Sequence, residues 1–346
     1  SDRNLIEKLF SRGILKVLVC TATLAWGVNL PCKKVIIKGT QVYNAEKGAF
    51  VSLGMLDVKQ IFGRAGRPQF DKEGDAVMIT SQEELPRYLS LITAQMPIES
   101  QFIEHLENNL NAEIVLGTVT TVREAVIWLN YTYLYVRMMM NPRVYGISSE
   151  EKRLDSLLVR KRTVLIEKAA KVLDDCRMIR FNNGYFFPTH LGRVASHYYI
   201  DHETIRKFNQ TFEKMSNALR YEGIFKLIAN ASEFDQIRAR EEEMDELDKL
   251  KIKSFALVCD CNYVAKNCGR IARGLFEIAL RKGWPDVSSL LLKLCQMIDL
   301  RMWDTQHPLR QFRSLKLGFI KKFEDKNLSV DDLIDMSASE ISSITR

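Results

Sequence analysis

The sequence has no uninterrupted apolar run of about 18 residues, the length a membrane-spanning helix requires, and no basic-then-apolar leader at its start. Neither a membrane span nor a secretory signal is expected, so the chain reads as a soluble intracellular protein of the nucleus and/or cytoplasm. No CxxC pair occurs among its seven cysteines, Cys20, Cys32, Cys176, Cys259, Cys261, Cys268 and Cys295. An odd number of thiols, mostly inside apolar runs, reads as reduced core residues rather than a metal centre. The five histidines form no ligand pattern either.

What is present is a long, mixed-charge chain. With 346 residues and 46% hydrophobic content it can build two or three packed domains. The net charge of +7 comes from 50 basic and 43 acidic residues, an excess that permits nucleic acid as a partner without requiring it.

The pattern changes along the chain. Over residues 1 to about 95, β-branched runs at Val17 to Cys20, Val35 to Lys38 and Ala76 to Thr80 alternate with helical stretches, the rhythm of a parallel α/β sheet. An opening helix with Leu5, Ile6, Leu9 and Phe10 on one face stops at Gly13. Beyond residue 96, amphipathic stretches dominate at Glu113 to Met140, Ser149 to Asp175, His202 to Ala229 and Asn262 to Lys282. One exception, Met178 to Phe187, places Asn182-Asn183-Gly184 between apolar runs and predicts a tight hairpin, so helices plus hairpin suggest a winged helix. Ser329 with Asp332 and Ser337 with Glu340 predict the starts of two short C-terminal helices. The acidic stretch Arg240 to Lys249 reads as a solvated helix, and Arg160-Lys161-Arg162 is too short to read as a nuclear signal.

The most informative stretch is Q-I-F-G-R-A-G-R-P at 60 to 68, where Arg64 and Arg67 sit among Gly63 and Gly66. A guanidinium neutralises the spread charge of a phosphoryl transition state better than any other side chain. Alone, the motif reads more readily as a helix end with two solvated arginines. Upstream, T-A-T-L-A-W-G-V-N-L-P at 21 to 31 follows a β-branched run, at the strand end where α/β sheets bind ligands.

In this order and spacing the two segments resemble motifs V and VI of superfamily-two helicases, in the form found in the Ski-like DExH helicases. N-A-E-I-V-L-G-T-V (111 to 119), Y-T-Y-L-Y-V-R-M (131 to 138), L-G-R-V-A-S-H-Y-Y-I (191 to 200) and P-L-R-Q-F (308 to 312) extend the likeness over essentially the whole chain.

The resemblance implies an α/β fold followed by a mainly α one. Residues 1–95 would be the C-terminal part of a second RecA-like domain and 96–201 a winged helix with its linker. Residues 202–320 would form a helical bundle around a ratchet helix at 262–282, and 321–346 the start of a helix-loop-helix. It implies an ATP-dependent 3′ to 5′ helicase cassette, of the DNA-repair or ribosome-quality-control kind or else spliceosomal; a catalytically silent scaffold is the competing class. Arg64 and Arg67 would contact the ATP γ-phosphate, Gln60 would organise that site, and Gly27 and Asn29 would approach the nucleotide. Thr21 and Thr23 would face the nucleic-acid backbone. ATP and Mg²⁺ would be held mainly by a first RecA-like domain. The implied partners are single-stranded or duplex nucleic acid, that domain, a second helicase cassette and protein subunits of a larger complex.

Two further segments gain meaning from this. Thr40 to Gly54 predicts a β-hairpin with a polar tip; in the family a hairpin here separates strands, which would engage Tyr43 and Lys47. At about 100° per residue, Val264, Cys268, Ile271, Leu275 and Ile278 form one stripe of a helix and Lys266, Arg270, Arg273, Glu277 and Arg281 another. The second reads either as a solvated face or as a phosphate-tracking one, for which the resemblance names Asn267, Arg270 and Arg273. Gly269 and Gly274 in that helix favour close contact with a neighbour or ligand.

The chain also departs from the family. It holds no G-x-x-x-x-G-K-[ST] loop and no DExH box, so by itself it is not expected to hydrolyse ATP; a preceding domain would supply those elements. At Leu250-Lys251 the family usually has a further few tens of residues, and an omitted disordered stretch or a deletion is expected there.

Overall fold

The computed structural model describes residues 2–20, 32–44, 47–66, 73–93, 97–214, 220–237, 241–249, 252, 254–312 and 314–345. The chain forms two compact units, Ser1–Glu99 and Ser100–Arg346.

In the first unit, α1 (Asp2–Ser11) ends where Gly13 turns to φ +71°. The strand expected at Val17 to Cys20 does not form among the described residues, and Val17 and Val19 are exposed. A β-branched run becomes a strand only when a neighbour completes its backbone hydrogen bonds. β1 (Lys34–Lys38) and β4 (Asp75–Ile79) do pair in parallel, Val35 opposite Ala76. Strands of a parallel sheet are normally covered on both faces, yet Ile36, Val77 and Ile79 are exposed. Between them β2 (Gln41–Asn44) and β3 (Ala49–Ser52) make the expected antiparallel hairpin. Helices α2 (Met55–Phe62) and α3 (Leu85–Ile92) follow β3 and β4. Ile37, Leu53, Met55, Val58 and Tyr88 form the core of this unit.

The second unit is mainly helical. The stretch Glu113 to Met140 is not one helix but parts of three, α4 (Leu106–Leu116), α5 (Val122–Leu129) and α6 (Tyr133–Met140). Gly117 at φ +80° stops the first, and the Thr121 and Thr132 hydroxyls cap the next two. Ser149 to Asp175 likewise divides into α7 (Ser149–Leu154) and α8 (Val159–Asp175). The Asp155 carboxylate accepts from the Val159 and Arg160 N–H groups at 2.8 and 2.7 Å and so starts α8.

The predicted hairpin is β5 (Ile179–Asn182) and β6 (Tyr185–Pro188). Asn183 and Gly184 both take left-handed φ, as a two-residue type I′ turn demands. Thr121 meets Tyr185 in an isolated antiparallel bridge, with Phe186 N–H donating to Thr120 O at 2.8 Å. Arg162 is buried, its guanidinium donating to Val126 O at 2.6 Å and to Asn130 Oδ1 and stacking on Tyr135. It pins α8 to α5 and is not part of an exposed basic signal.

α9 (His190–Tyr198), α10 (His202–Lys214) and α11 (Tyr221–Ala229) follow; residues 215–219 of the expected His202 to Ala229 helix lie outside the described residues. α12 (Glu241–Asp248) is not simply solvated, since Glu243 is buried and accepts from Ser254 Oγ at 3.2 Å. α13 (Phe255–Arg281) starts seven residues before the expected Asn262 and packs against α9 and α14 (Pro285–Leu300). A single core from Leu106 to Met297 unites the winged-helix part with these helices, through Ile200, Ile205, Ile271, Leu275 and Leu291. α15 (Leu317–Asp325), α16 (Val330–Asp335) and α17 (Ala338–Thr345) close the chain, the last two started by the predicted Ser329–Asp332 and Ser337–Glu340 side chains.

Candidate nucleotide and nucleic-acid sites

Gln60 lies in the last turn of α2, exposed, and Arg64 follows one helical turn later, half-buried. The turn is held from outside by Cys32, whose N–H donates to Arg64 O at 2.9 Å and whose carbonyl accepts from Gly66 N–H at 2.7 Å. Gly66 has φ +93°, a region that favours glycine. Gly74, just before β4, lies so close that an added Cβ would sit 2.5 Å from Ala65 C and Gly66 N. Gly63 is an ordinary helical C-cap, φ −63°, and the tightest approach to this turn is made at Gly74. Gly74 stands outside the motif and carries no chemistry, which is why the sequence does not mark it.

Arg67, and with it Thr21, Thr23, Gly27 and Asn29, lies outside the described residues. The donors that are described, a carboxamide in the last turn of α2 and a guanidinium just past its C-cap, are of the kind that suits an anionic phosphate oxygen.

The β2–β3 hairpin carries Tyr43 against Phe50, ring centroids 5.4 Å apart, and Lys47 exposed at its tip. Lys47 N–H donates to Asn44 Oδ1 at 3.1 Å. The hairpin base is tied by Leu53 N–H to Thr40 O at 2.6 Å and by the buried Tyr88 hydroxyl to Leu53 O at 3.0 Å. Burial raises the Tyr88 pKa above the ordinary phenol value, so the hydroxyl remains a donor.

The candidates on α13 separate. Asn267 is buried, its amide donating to Tyr263 O at 2.9 Å. Its Oδ1 accepts from Arg270 Nε at 2.8 Å. Arg270 also donates to the carbonyls of Tyr198 and Tyr199, at the C-terminus of α9, and lies 3.5 Å from the buried Glu233 carboxylate. A cation there satisfies helix-end carbonyls and the dipole together. Only Arg273 of the three is exposed, paired with Asp299 at 2.6 Å, and that hydrogen bond raises its pKa. The stripe read as one face is therefore two, with Arg270 turned inward. Gly274 supplies the close contact expected of it, since a Cβ there would collide with Ile200 Cδ1, while Gly269 makes ordinary contact with Ile298.

The Winged Helix-turn-helix domain family matches residues 99–175, and the Sec63 Brl domain family matches residues 188–254 and 245–343. A winged helix feeding a Sec63-type helical module is the C-terminal organisation of a helicase cassette. Activating signal cointegrator 1 complex subunit 3 of Bos taurus is 52% identical over 376 residues, and that of Dictyostelium discoideum 48% over 373, each alignment covering 99% of this chain and 17% of the relative. The DExH-box ATP-dependent RNA helicase DExH14 of Arabidopsis thaliana is 47% identical over 380 residues, covering 100% of the chain and 18% of the relative. The chain belongs to the Ski-like DExH helicase family and spans about a sixth of the length of these relatives. The alignments run longer than its 346 residues, so the relatives hold residues it lacks. The two Sec63 matches meet at 245–254, where Leu250 and Lys251 lie outside the described residues.

Proposed function

We propose that this chain is the C-terminal part of the first cassette of a tandem-cassette helicase, which uses ATP to move 3′ to 5′ along a nucleic-acid strand and unwind duplex. The observation that carries this reading is the pinned turn bearing Gln60 and Arg64, placed between Cys32 and Gly74. Bound ATP, with its Mg²⁺ held mainly by a first RecA-like domain, supplies the phosphoryl group and the charge to be neutralised. Arg64 and Arg67 neutralise equatorial phosphate oxygens and Gln60 orients that contact. Gly27 and Asn29 line the nucleotide, and Thr21 and Thr23 hold the strand's backbone.

The exposed apolar strand residues Ile36, Val77 and Ile79 support membership of a larger sheet, because parallel strands are normally covered on both faces. Tyr43 and Lys47 at the hairpin would part the duplex, and Arg273, exposed and cationic, would follow the strand's phosphates. RNA is the favoured strand, since the Arabidopsis relative is named as an RNA helicase. The test is unwinding by the full-length protein of RNA duplexes with a 3′ or a 5′ single-stranded tail. ATP-dependent unwinding of the 3′-tailed substrate alone is expected; equal unwinding of both, or none with either, contradicts the reading.

A further inference from the structure

The β5–β6 wing has two unlike faces. Ile179, Phe181, Phe186 and Pro188 point inward, with Ile179 and Phe186 fully buried. The register pairs Arg180 with Phe187 and Asn182 with Tyr185, so these four side chains share the outer face. Tyr185 is 55% and Phe187 56% exposed. Two large rings side by side on an open sheet face keep their apolar area in water within this chain, which calls for a partner.

The segment that carries them holds charge of one sign. From Cys176 to Ile200 the sequence has Arg177, Arg180 and Arg193 with His190 and His197, and no aspartate or glutamate, in a chain otherwise rich in carboxylates. Two carboxylates from outside this segment reach the wing's margins, each committed to backbone or hydroxyl donors there. Asp174 accepts from Phe181 N–H at 3.2 Å, and Glu124 accepts from Thr120 and Thr121 within a capping box. Arg180 makes no ion pair or side-chain hydrogen bond among the described residues.

We propose that the outer face of the wing is a stacking platform for unpaired bases of an RNA strand. Tyr185 and Phe187 present ring faces to successive bases, Arg180 neutralises the phosphate between them, and the Asn182 amide takes a base edge or a 2′-hydroxyl. Aromatic rings on a sheet flanked by cations are the chemistry that binds single strands without sequence preference. An acidic or apolar protein segment would leave either the rings or the guanidinium without a complementary group, so a strand is the better fit. The proposal rests on the reading of this chain as part of a strand-handling cassette and adds a second point of contact away from α13.

The test uses the full-length protein and a 5-bromouridine-substituted single-stranded RNA. Irradiation is expected to crosslink the peptide containing Tyr185 and Phe187. The double substitution Tyr185→Ala with Phe187→Ala should abolish that crosslink and weaken RNA affinity about tenfold, as loss of base stacking does. Arg180→Glu should weaken it as well, while Tyr185→Phe keeps the ring and binds like the wild type. Because these side chains are exposed, the thermal transition should not move, and Arg180→Glu reads the same face without removing a ring. RNA that binds normally with no crosslink to this peptide and unchanged affinity in the variants overturns the platform and leaves the cassette reading standing. No RNA binding by the wild-type protein overturns both, and loss of a bound protein subunit in place of RNA assigns the face to protein.

Discussion

The backbone of Cys32 is bonded on both sides of its peptide to the turn that carries Arg64, by Cys32 N–H to Arg64 O at 2.9 Å and Gly66 N–H to Cys32 O at 2.7 Å. Two segments more than thirty residues apart thus share one short parallel bridge, Cys32 with Ala65. A guanidinium used as an electrostatic clamp must be held to within a fraction of an ångström of its working position. The bridge provides that through the main chain, and the Cys32 thiol adds a longer contact to Arg64 O at 3.7 Å.

Gly74 is the position where this arrangement is most easily broken. Its substitution by alanine drives a Cβ into the Ala65–Gly66 peptide, a backbone contact that cannot move aside. Gly74→Ala should destabilise the first unit by about 1–3 kcal/mol, the cost typical of overpacking, and should lower ATP turnover of the full-length protein. Thermal unfolding and hydrolysis measured together check this; a variant with wild-type behaviour in both removes the role given to the close approach.

Arg270 and Arg273 predict opposite phenotypes. Arg270→Ala removes the donor to the Tyr198 and Tyr199 carbonyls and the cation beside the Glu233 carboxylate, which keeps Asp201 N–H and the Thr204 hydroxyl, and should cost about 1.5–3 kcal/mol, the range for hydrogen bonds to charged groups. Arg273→Ala breaks an ion pair that is half exposed on both sides, so its stability cost should stay below about 1 kcal/mol. Strand affinity should fall in Arg273→Ala with a shallower salt dependence, because one phosphate contact is lost. Denaturant melts and titrations at fixed salt separate the two; the reverse pattern contradicts the assignment of Arg270 to the fold.

At the C-terminal end, Arg310 grips Glu324 through two hydrogen bonds, 2.6 and 2.7 Å, and His307 N–H adds a third at 3.3 Å. The Arg310 bonds hold the Glu324 pKa down to about 2, against 4.5 for an ordinary glutamate. A lowered folded-state pKa contributes stability that is fully present above the unfolded value and is lost as pH falls toward the folded one. The thermal midpoint should therefore drop between about pH 5 and pH 2 more steeply in the wild type than in Glu324→Gln. Parallel pH profiles contradict the claim.

Much of this was legible in the sequence, for physical reasons that differ by element. Asn183-Gly184 announced its hairpin because few residues accept two consecutive left-handed conformations, and Ser329 and Ser337 announced their helices because a hydroxyl and a carboxylate three apart satisfy each other's backbone. The arginine motif stood out because its spacing is chemical. Hydrophobic periodicity ran through helix breaks at Gly117 and Leu158, since flanking helices in one core share an apolar phase. Arg270 was assigned outward because a helical wheel places a side chain by angle alone. It cannot show that the carbonyls of Tyr198 and Tyr199 wait beside it. Tyr88 and Gly74 were silent, since their roles are long-range contacts that leave no local pattern.

The most direct test of the central claim is strand-stimulated ATP hydrolysis by the full-length protein carrying Arg64→Ala, beside Arg67→Ala and the wild type. The account predicts that each substitution lowers turnover by at least about a hundredfold, within what loss of a phosphate-facing arginine typically costs, while folding and strand binding persist. Turnover unchanged in both variants would contradict it.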